Sequence, residues 1–168
     1  QTITTSATAT EFVQEIQLVR LSAQHRNEVQ TFESFASPGE ALGGTFTITF
    51  GTLGPTRALP YDIHPSSLKT YLNLDIPEMG RISVARAANT YCACTGAYLW
   101  TVTFEELQGA LPIITIQSAL TGAGATLPAQ ATVITPSTKL GGTFQLSAGH
   151  SPIKTTTLTH EATPMQVM

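Results

Sequence analysis

Cys92 and Cys94 are the only cysteines of the chain, and a Cys-x-Cys pair can form a disulfide or lend two thiolates to a metal. A structural zinc site needs four ligands, and neither a second cysteine pair nor a nearby histidine supplies the rest. A disulfide is therefore expected, closed between Cys92 and Cys94 or made to cysteines of a neighbouring module; free buried thiols are the alternative. His25, His64, His150 and His160 are scattered, and no GxSxG elbow gathers a serine, a histidine and an acid. Asp62 and Asp75 are too few for a calcium loop of the EF-hand type. Glu105 and Glu106 follow a strand and keep its end soluble, and nothing points to a second carboxylate across a cleft, as glycoside hydrolysis requires. Gly122-Ala123-Gly124 lacks the lysine of a phosphate loop. Trp100 has Tyr98 and Val102 as same-face neighbours, which places it in a core rather than on a sugar-stacking platform. No catalytic, cofactor-binding or metal-binding residue is assigned, no cofactor is expected, and the chain is not expected to be an enzyme.

What the chain has in place of these groups is threonine. There are 28 Thr and 11 Ser against two Asp, and only 11% of residues are charged. Threonine favours strands, so the excess speaks for β structure. With a net charge of −3 there is no basic footprint, and nucleic acid is excluded as an expected partner. Apolar runs such as residues 110–114 fall far short of the roughly 20 residues of a membrane span. No N-x-S/T sequon occurs, so any glycan would be O-linked, with clusters at Thr2–Thr10, Thr135–Thr138 and Thr155–Thr159 as candidates. The alternative is that these are ordinary strand threonines.

The chain also repeats itself. LGGTFTITFG at residues 42–51 lies over LGGTFQLSAG at 140–149, a separation of 98 residues. Beyond it, Pro55 and Arg57 align with Pro152 and Lys154 across a one-residue gap, and HPSSLKTYL from His64 has a weaker counterpart in TPMQVM from Thr163. A minor repeat near the start relates the segments opening at Gln1, Gln17 and Gln30. Because both ends cut through repeats, the expectation is a window onto a longer, periodic molecule.

These signals give an architecture. Residues 1–41 are expected to form an extended Thr/Ser-rich β arm, with Ile3, Ile16, Leu18, Val29, Phe32 and Phe35 as its apolar contacts to a neighbour. Residues 42–139 are the main β-rich module, and 140–168 the start of the next repeat. In the module Phe46, Ile48 and Phe50 alternate with threonines, as do Trp100, Val102 and Phe104, giving two half-buried strands and the core. His64-Pro65 opens a helix near 65–75, with proline at the first helical position, and Pro77 and Gly80 close the segment. The fold class is mainly β: a β-sandwich-like module with one short helix, in tandem repeat with the arm.

Taken in order, GGTFTITF, a short strand ending in LPYD before a helix, and YLWTVTF followed by GALPIIT resemble a repeat of very large secreted proteins of oomycetes, diatoms and other microbial eukaryotes. Members of that group are surface or fibril-forming proteins, including suspected components of flagellar hairs, and no enzymatic activity comes with the resemblance. CACTG before YLWTVTF departs from it, since other units have a plain polar loop there. The helix also lacks the usual Ala/Glu-rich face. The resemblance implies a structural protein of the extracellular space or cell surface: the repeating subunit of a filament, self-assembling by strand exchange or head-to-tail stacking into a helical polymer. The alternative is an adhesin or receptor ectodomain that binds carbohydrate or another cell surface.

Overall fold

The structure is a computed structural model that describes Gln24 and residues 26–138, 141–147 and 153–159. The described residues fall into two units, one covering 24–138 and the other the two segments that follow. The fold is mainly β with one helix. In chain order the first unit contains β1 (Glu28–Glu33), β2 (Gly43–Phe50), β3 (Leu59–Pro60), α1 (Pro65–Asp75), β4 (Ile82–Ala88), β5 (Tyr98–Phe104), β6 (Ile114–Thr121) and β7 (Thr132–Thr135). The second contains β8 (Thr143–Phe144) and β9 (Leu158–Thr159).

Two antiparallel sheets form the first unit, one in the order β4-β5-β1-β7 and the other β3-β2-β6. Period-two alternation dictates which side chains meet between them. Phe46, Ile48 and Phe50 point inward from β2, and Trp100, Val102 and Phe104 from β5; all are 3% exposed or less. Phe32 of β1 stacks on Trp100 at 5.3 Å between ring centroids, Phe46 meets both rings edge-on or tilted, and Phe50 stacks on Phe104 at 5.3 Å. Helix α1 adds the fully buried Leu68 and Leu72 to this core. His64 caps it, its Nδ1 accepting from the Ser66 N–H, and Pro65 occupies the first turn, where a missing N–H is harmless. Pro77 stops the helix, and Gly80 turns the chain into β4 at a φ of 63°.

One expectation is corrected. Residues 24–41 are not part of an arm: β1 is an interior strand, paired with β5 along its whole length and with β7 on its other edge. Val29 lies opposite Thr103 and Thr135, Phe32 is sealed in the aromatic cluster, and Phe35 bridges to Thr126. The module therefore starts by residue 24 rather than residue 42. The reason is visible in the inward-facing set of β1, which is Glu28, Gln30 and Phe32. Two of its three residues are polar, so no apolar alternation marks the strand.

That polar pair is fully engaged. Gln30 Nε2 donates to Glu28 Oε1 (2.7 Å) and to the Pro112 carbonyl (2.9 Å), while its Oε1 accepts from the Ile114 N–H (2.8 Å). Glu28 Oε2 also accepts from the Ser137 N–H. Gln30 thus reaches from one sheet to the first residue of β6 in the other.

The placement of β1 has a direct test. Phe32→Ala in the 168-residue chain is expected to cost about 3–5 kcal/mol of module stability, the usual cost of truncating a buried aromatic. Urea unfolding followed by Trp100 fluorescence measures it, and an unchanged midpoint would mean that Phe32 lies outside the core.

Candidate functional site

Among the described residues, charged and nucleophilic side chains do not converge. Among the described residues no group of three or more His, Cys, Asp or Glu could hold a metal ion, and no helix is long and apolar enough to cross a membrane. His64 is a helix cap; His25, His150 and His160 lie outside the described residues. Glu106 accepts from the Arg81 N–H, and Glu105 pairs with the exposed Arg81 side chain at 3.1 Å. Asp75 ends α1 and is gripped by Arg57, which donates Nη2 to Oδ1 (2.7 Å) and Nε and its backbone N–H to Oδ2 (3.0 and 2.9 Å). The side-chain bond from Arg57, helped by the backbone bond, holds the Asp75 carboxyl at about 2, below its ordinary value of 3.8. The guanidinium also sits 4.5 Å over the Tyr71 ring.

The features able to meet a partner are strand edges, a groove and a loop. β4 is a regular seven-residue edge strand with Ala85, Ala87 and Ala88 exposed. Its one charge, Arg86, is turned away, with the guanidinium 4.0 Å over the Tyr98 ring and bonds to the Asp62 and Ile63 carbonyls. β7 is the opposite edge. It shows Ile134 60% exposed, and a register shift against Val29/Gln30 interrupts its pairing. A bulge of this kind discourages strand addition, whereas an unbulged edge such as β4, whose one charge is turned back onto Tyr98, permits it. An open groove of about 340 Å³ runs beside β1, lined by Thr31, Glu33, Phe35, Leu99, Thr126 and Leu127 among others.

The loop between β4 and β5 carries Cys92 and Cys94, which are bonded to each other across a Cα separation of 5.1 Å. Hydrogen bonds fasten this loop to residues 34–42. Asn89, buried, donates to the Ser34 carbonyl; Gly39 and Leu42 N–H donate to the Ala93 and Thr95 carbonyls; and Thr95 N–H donates to Glu40. Tyr91 stands almost fully exposed at the loop.

A fourth feature is the second hairpin, and its geometry is that of the first. In the first, Thr45 lies opposite Pro60 and Phe46 opposite Leu59; in the second, Thr143 lies opposite Thr159 and Phe144 opposite Leu158. The Ile48 N–H donates to Thr56 Oγ1 at 3.0 Å and its carbonyl accepts from the Thr56 N–H at 2.8 Å. Leu146 and Thr155 make the same two bonds, at 3.0 and 2.9 Å. A threonine thus locks each hairpin by hydroxyl and by backbone. The equivalents are Thr56 with Thr155 and Leu59 with Leu158, so the second copy is one residue longer. The alignment of Pro55 and Arg57 with Pro152 and Lys154 had placed the gap with the opposite sign.

Of the six arm residues, Ile3, Ile16 and Leu18 lie outside the described residues, and the other three belong to the module. The threonine locks and the Gln30 brace carry no motif; the locks become legible only once the gap in the repeat is placed correctly. Two candidate glycan positions are already engaged. Thr138 Oγ1 accepts from the Arg26 N–H and donates to the Gln24 carbonyl, and Thr155 Oγ1 accepts from Leu146. Comparison of the chain with known protein families, with curated proteins and with solved structures finds no match.

Replacing both Cys92 and Cys94 by alanine is expected to cost only about 1–2 kcal/mol, because the bond closes so short a loop. Asn89→Ala, which strips a buried bond, should cost about 1–3 kcal/mol; urea titrations compare them, and unfolding of the double variant would contradict this. The lowered pKa of Asp75 stabilises the fold above the unfolded carboxyl value of about 3.9, and that contribution is lost as pH falls toward 2. Asp75→Asn should therefore lower the melting temperature at pH 6, by an amount that shrinks as pH falls below about 4 and vanishes only below pH 2, as read by thermal melts across that range.

Proposed function

We propose that this chain is a structural protein, the repeating subunit of an extracellular filament whose β modules join by strand exchange or head-to-tail stacking. The observation that carries this reading is the second hairpin. The β2–β3 hairpin of the module recurs 98 residues after Gly43 with the same register and the same threonine lock, as in a molecule built by repetition. The unbulged β4 edge supports it, since backbone groups there can bond an added strand with little demand on side chains. The Cys92–Cys94 bond suits an oxidising compartment such as the cell surface. Neighbouring copies are the expected partners, and the role is mechanical rather than catalytic. O-linked glycans would fall on threonines other than Thr138 and Thr155, whose hydroxyls already serve the fold.

The groove beside β1 favours a second reading, an adhesin or receptor ectodomain. Its hydroxyls from Thr31 and Thr126, its Glu33 carboxylate and its apolar Phe35, Leu99 and Leu127 make a surface on which a carbohydrate or another cell's surface group could rest. Affinity that survives in a monomeric preparation would favour that reading.

Deleting residues 1–23, which leaves every described strand in place, separates assembly from folding. The full chain is expected to sediment as large assemblies, and the deleted chain to remain small with the same Trp100 emission. Assemblies of equal size from both would contradict strand exchange through the N-terminal segment.

A further inference from the structure

We propose that the groove beside β1 takes a neutral hexose, held at Glu33 by two adjacent hydroxyls. The inference rests on the carbohydrate reading of that groove and names the class of sugar and the group that holds it.

The groove exists because the chain between β6 and β7 changes sheets. Along β1 and the residues that continue it, even-numbered residues turn their backbone groups toward β5, as the Ser34 N–H does in donating to the Tyr98 carbonyl. Odd-numbered residues turn theirs to the other side. There Phe35 exchanges two backbone bonds with Thr126, at 3.0 and 2.8 Å, and Thr31 lies opposite Thr132 of β7. Glu33 falls between these two rungs. The residues that would meet it are engaged with the other sheet. The Ala129 carbonyl accepts from the Ile116 N–H, Gln130 bridges to Thr115, and the Ala131 N–H donates to the Ile114 carbonyl. Among the described residues nothing bonds the N–H, the carbonyl or the carboxylate of Glu33.

A single open rung selects its occupant. An added strand would need the rungs at Phe35 and Thr31 as well, and both are taken. What fits is a compact ligand that presents one donor and one acceptor side by side. In an extended residue the amide nitrogen and the carbonyl oxygen lie roughly 3 Å apart, as standard bond lengths and angles set it. Adjacent hydroxyl oxygens on a sugar ring have the same spacing. One hydroxyl donates to the Glu33 carbonyl while its neighbour accepts from the Glu33 N–H.

The lining agrees with a sugar and sets its charge. Thr31, Glu33 and Phe35 follow at every second position on the outward face of β1, and Leu99 of β5 lies opposite Glu33. The Glu33 carboxylate is acceptor-only, and a hydroxyl donating to it makes a charge-assisted bond. Thr31 and Thr126 offer hydroxyls that both donate and accept. Phe35, Leu99 and Leu127 supply an apolar surface for the C–H face of a ring. No cation lines the groove, so an anionic sugar would meet the Glu33 charge with nothing to balance it. A volume of about 340 Å³ lies at the small end of ligand sites, suited to a sugar residue rather than to a wrapped chain.

Saturation-transfer difference NMR on the full 168-residue chain tests this, since it reads weak ligands on assemblies as well as on monomers. The probes are the methyl glycosides of glucose, galactose and mannose. At least one is expected to be saturated by the protein, and its fully O-methylated ether, which has no hydroxyl to donate, is expected not to be. The matching uronic acid should bind more weakly than the neutral sugar. Glu33→Ala, an outward-facing change with the fold checked by Trp100 emission, should weaken binding by about tenfold, the loss of one charge-assisted hydrogen bond. If the ether or the uronic acid binds as well as the neutral sugar, or Glu33→Ala binds as well as the parent chain, the proposal is overturned and the carbohydrate reading stands without it. No saturation of any of the three glycosides would remove both and leave the filament reading untouched.

Discussion

Gln30 ties the two sheets together by hydrogen bonds, and much of the first unit's register follows from it. Its amide is wholly buried, where a polar group without a partner costs about 1–3 kcal/mol, and both of its polar atoms are bonded. By gripping the Pro112 carbonyl and the Ile114 N–H, it fixes where β6 begins. β6 then pairs with all of β2, so the position of Phe46, Ile48 and Phe50 over the Phe32–Trp100 stack depends on a side chain of the opposite sheet. The same brace reaches the chain's exit from the module. Glu28 accepts from the Gln30 amide and from the Ser137 N–H, and Ser137 Oγ accepts from the Gly109 N–H. Apolar burial drives this core together, and the Gln30–Glu28 pair specifies its alignment.

Threonine does two kinds of work. On the outward faces, Thr45, Thr47 and Thr49 of β2 and Thr101 and Thr103 of β5 satisfy strand propensity while leaving a polar, uncharged surface. Inside the hairpins, Thr56 and Thr155 close the turn with a hydroxyl bond where the next strand has not yet begun. The second use makes the hairpin a transferable unit, since its bonds are local and recur 98 residues on. A surface with few charges and an unbulged β4 edge is a poor design for an isolated monomer, because such edges pair with other chains. It suits a molecule whose neighbours are copies of itself.

Sequence alone exposed the parts in which period and chemistry agree. TFTITF and YLWTVTF alternate cleanly, and His64-Pro65 with Pro77 brackets a helix that the structure places at Pro65–Asp75. β1 escaped because Glu28 and Gln30 face inward, so its buried set reads as polar and the segment blended into the Thr/Ser-rich stretch before it. The second hairpin was half legible: LGGTF is an identity, but the extra residue before Thr155 was assigned with the wrong sign. The Cys92–Cys94 bond was one of several open pairings, since spacing allows a bond that only the loop's fastening to residues 34–42 makes specific. The reason for glycine at residue 43 was not legible at all: it is a neighbour in β6, a fact about space rather than pattern.

The central claim is that copies of this chain join end to end into a filament. Electron microscopy of the native material in negative stain tests it most directly, because it requires neither a known ligand nor an altered chain. The account predicts long fibres with a regular axial spacing. Discrete particles or short flexible rods under the same conditions would contradict it and turn attention to the groove beside β1.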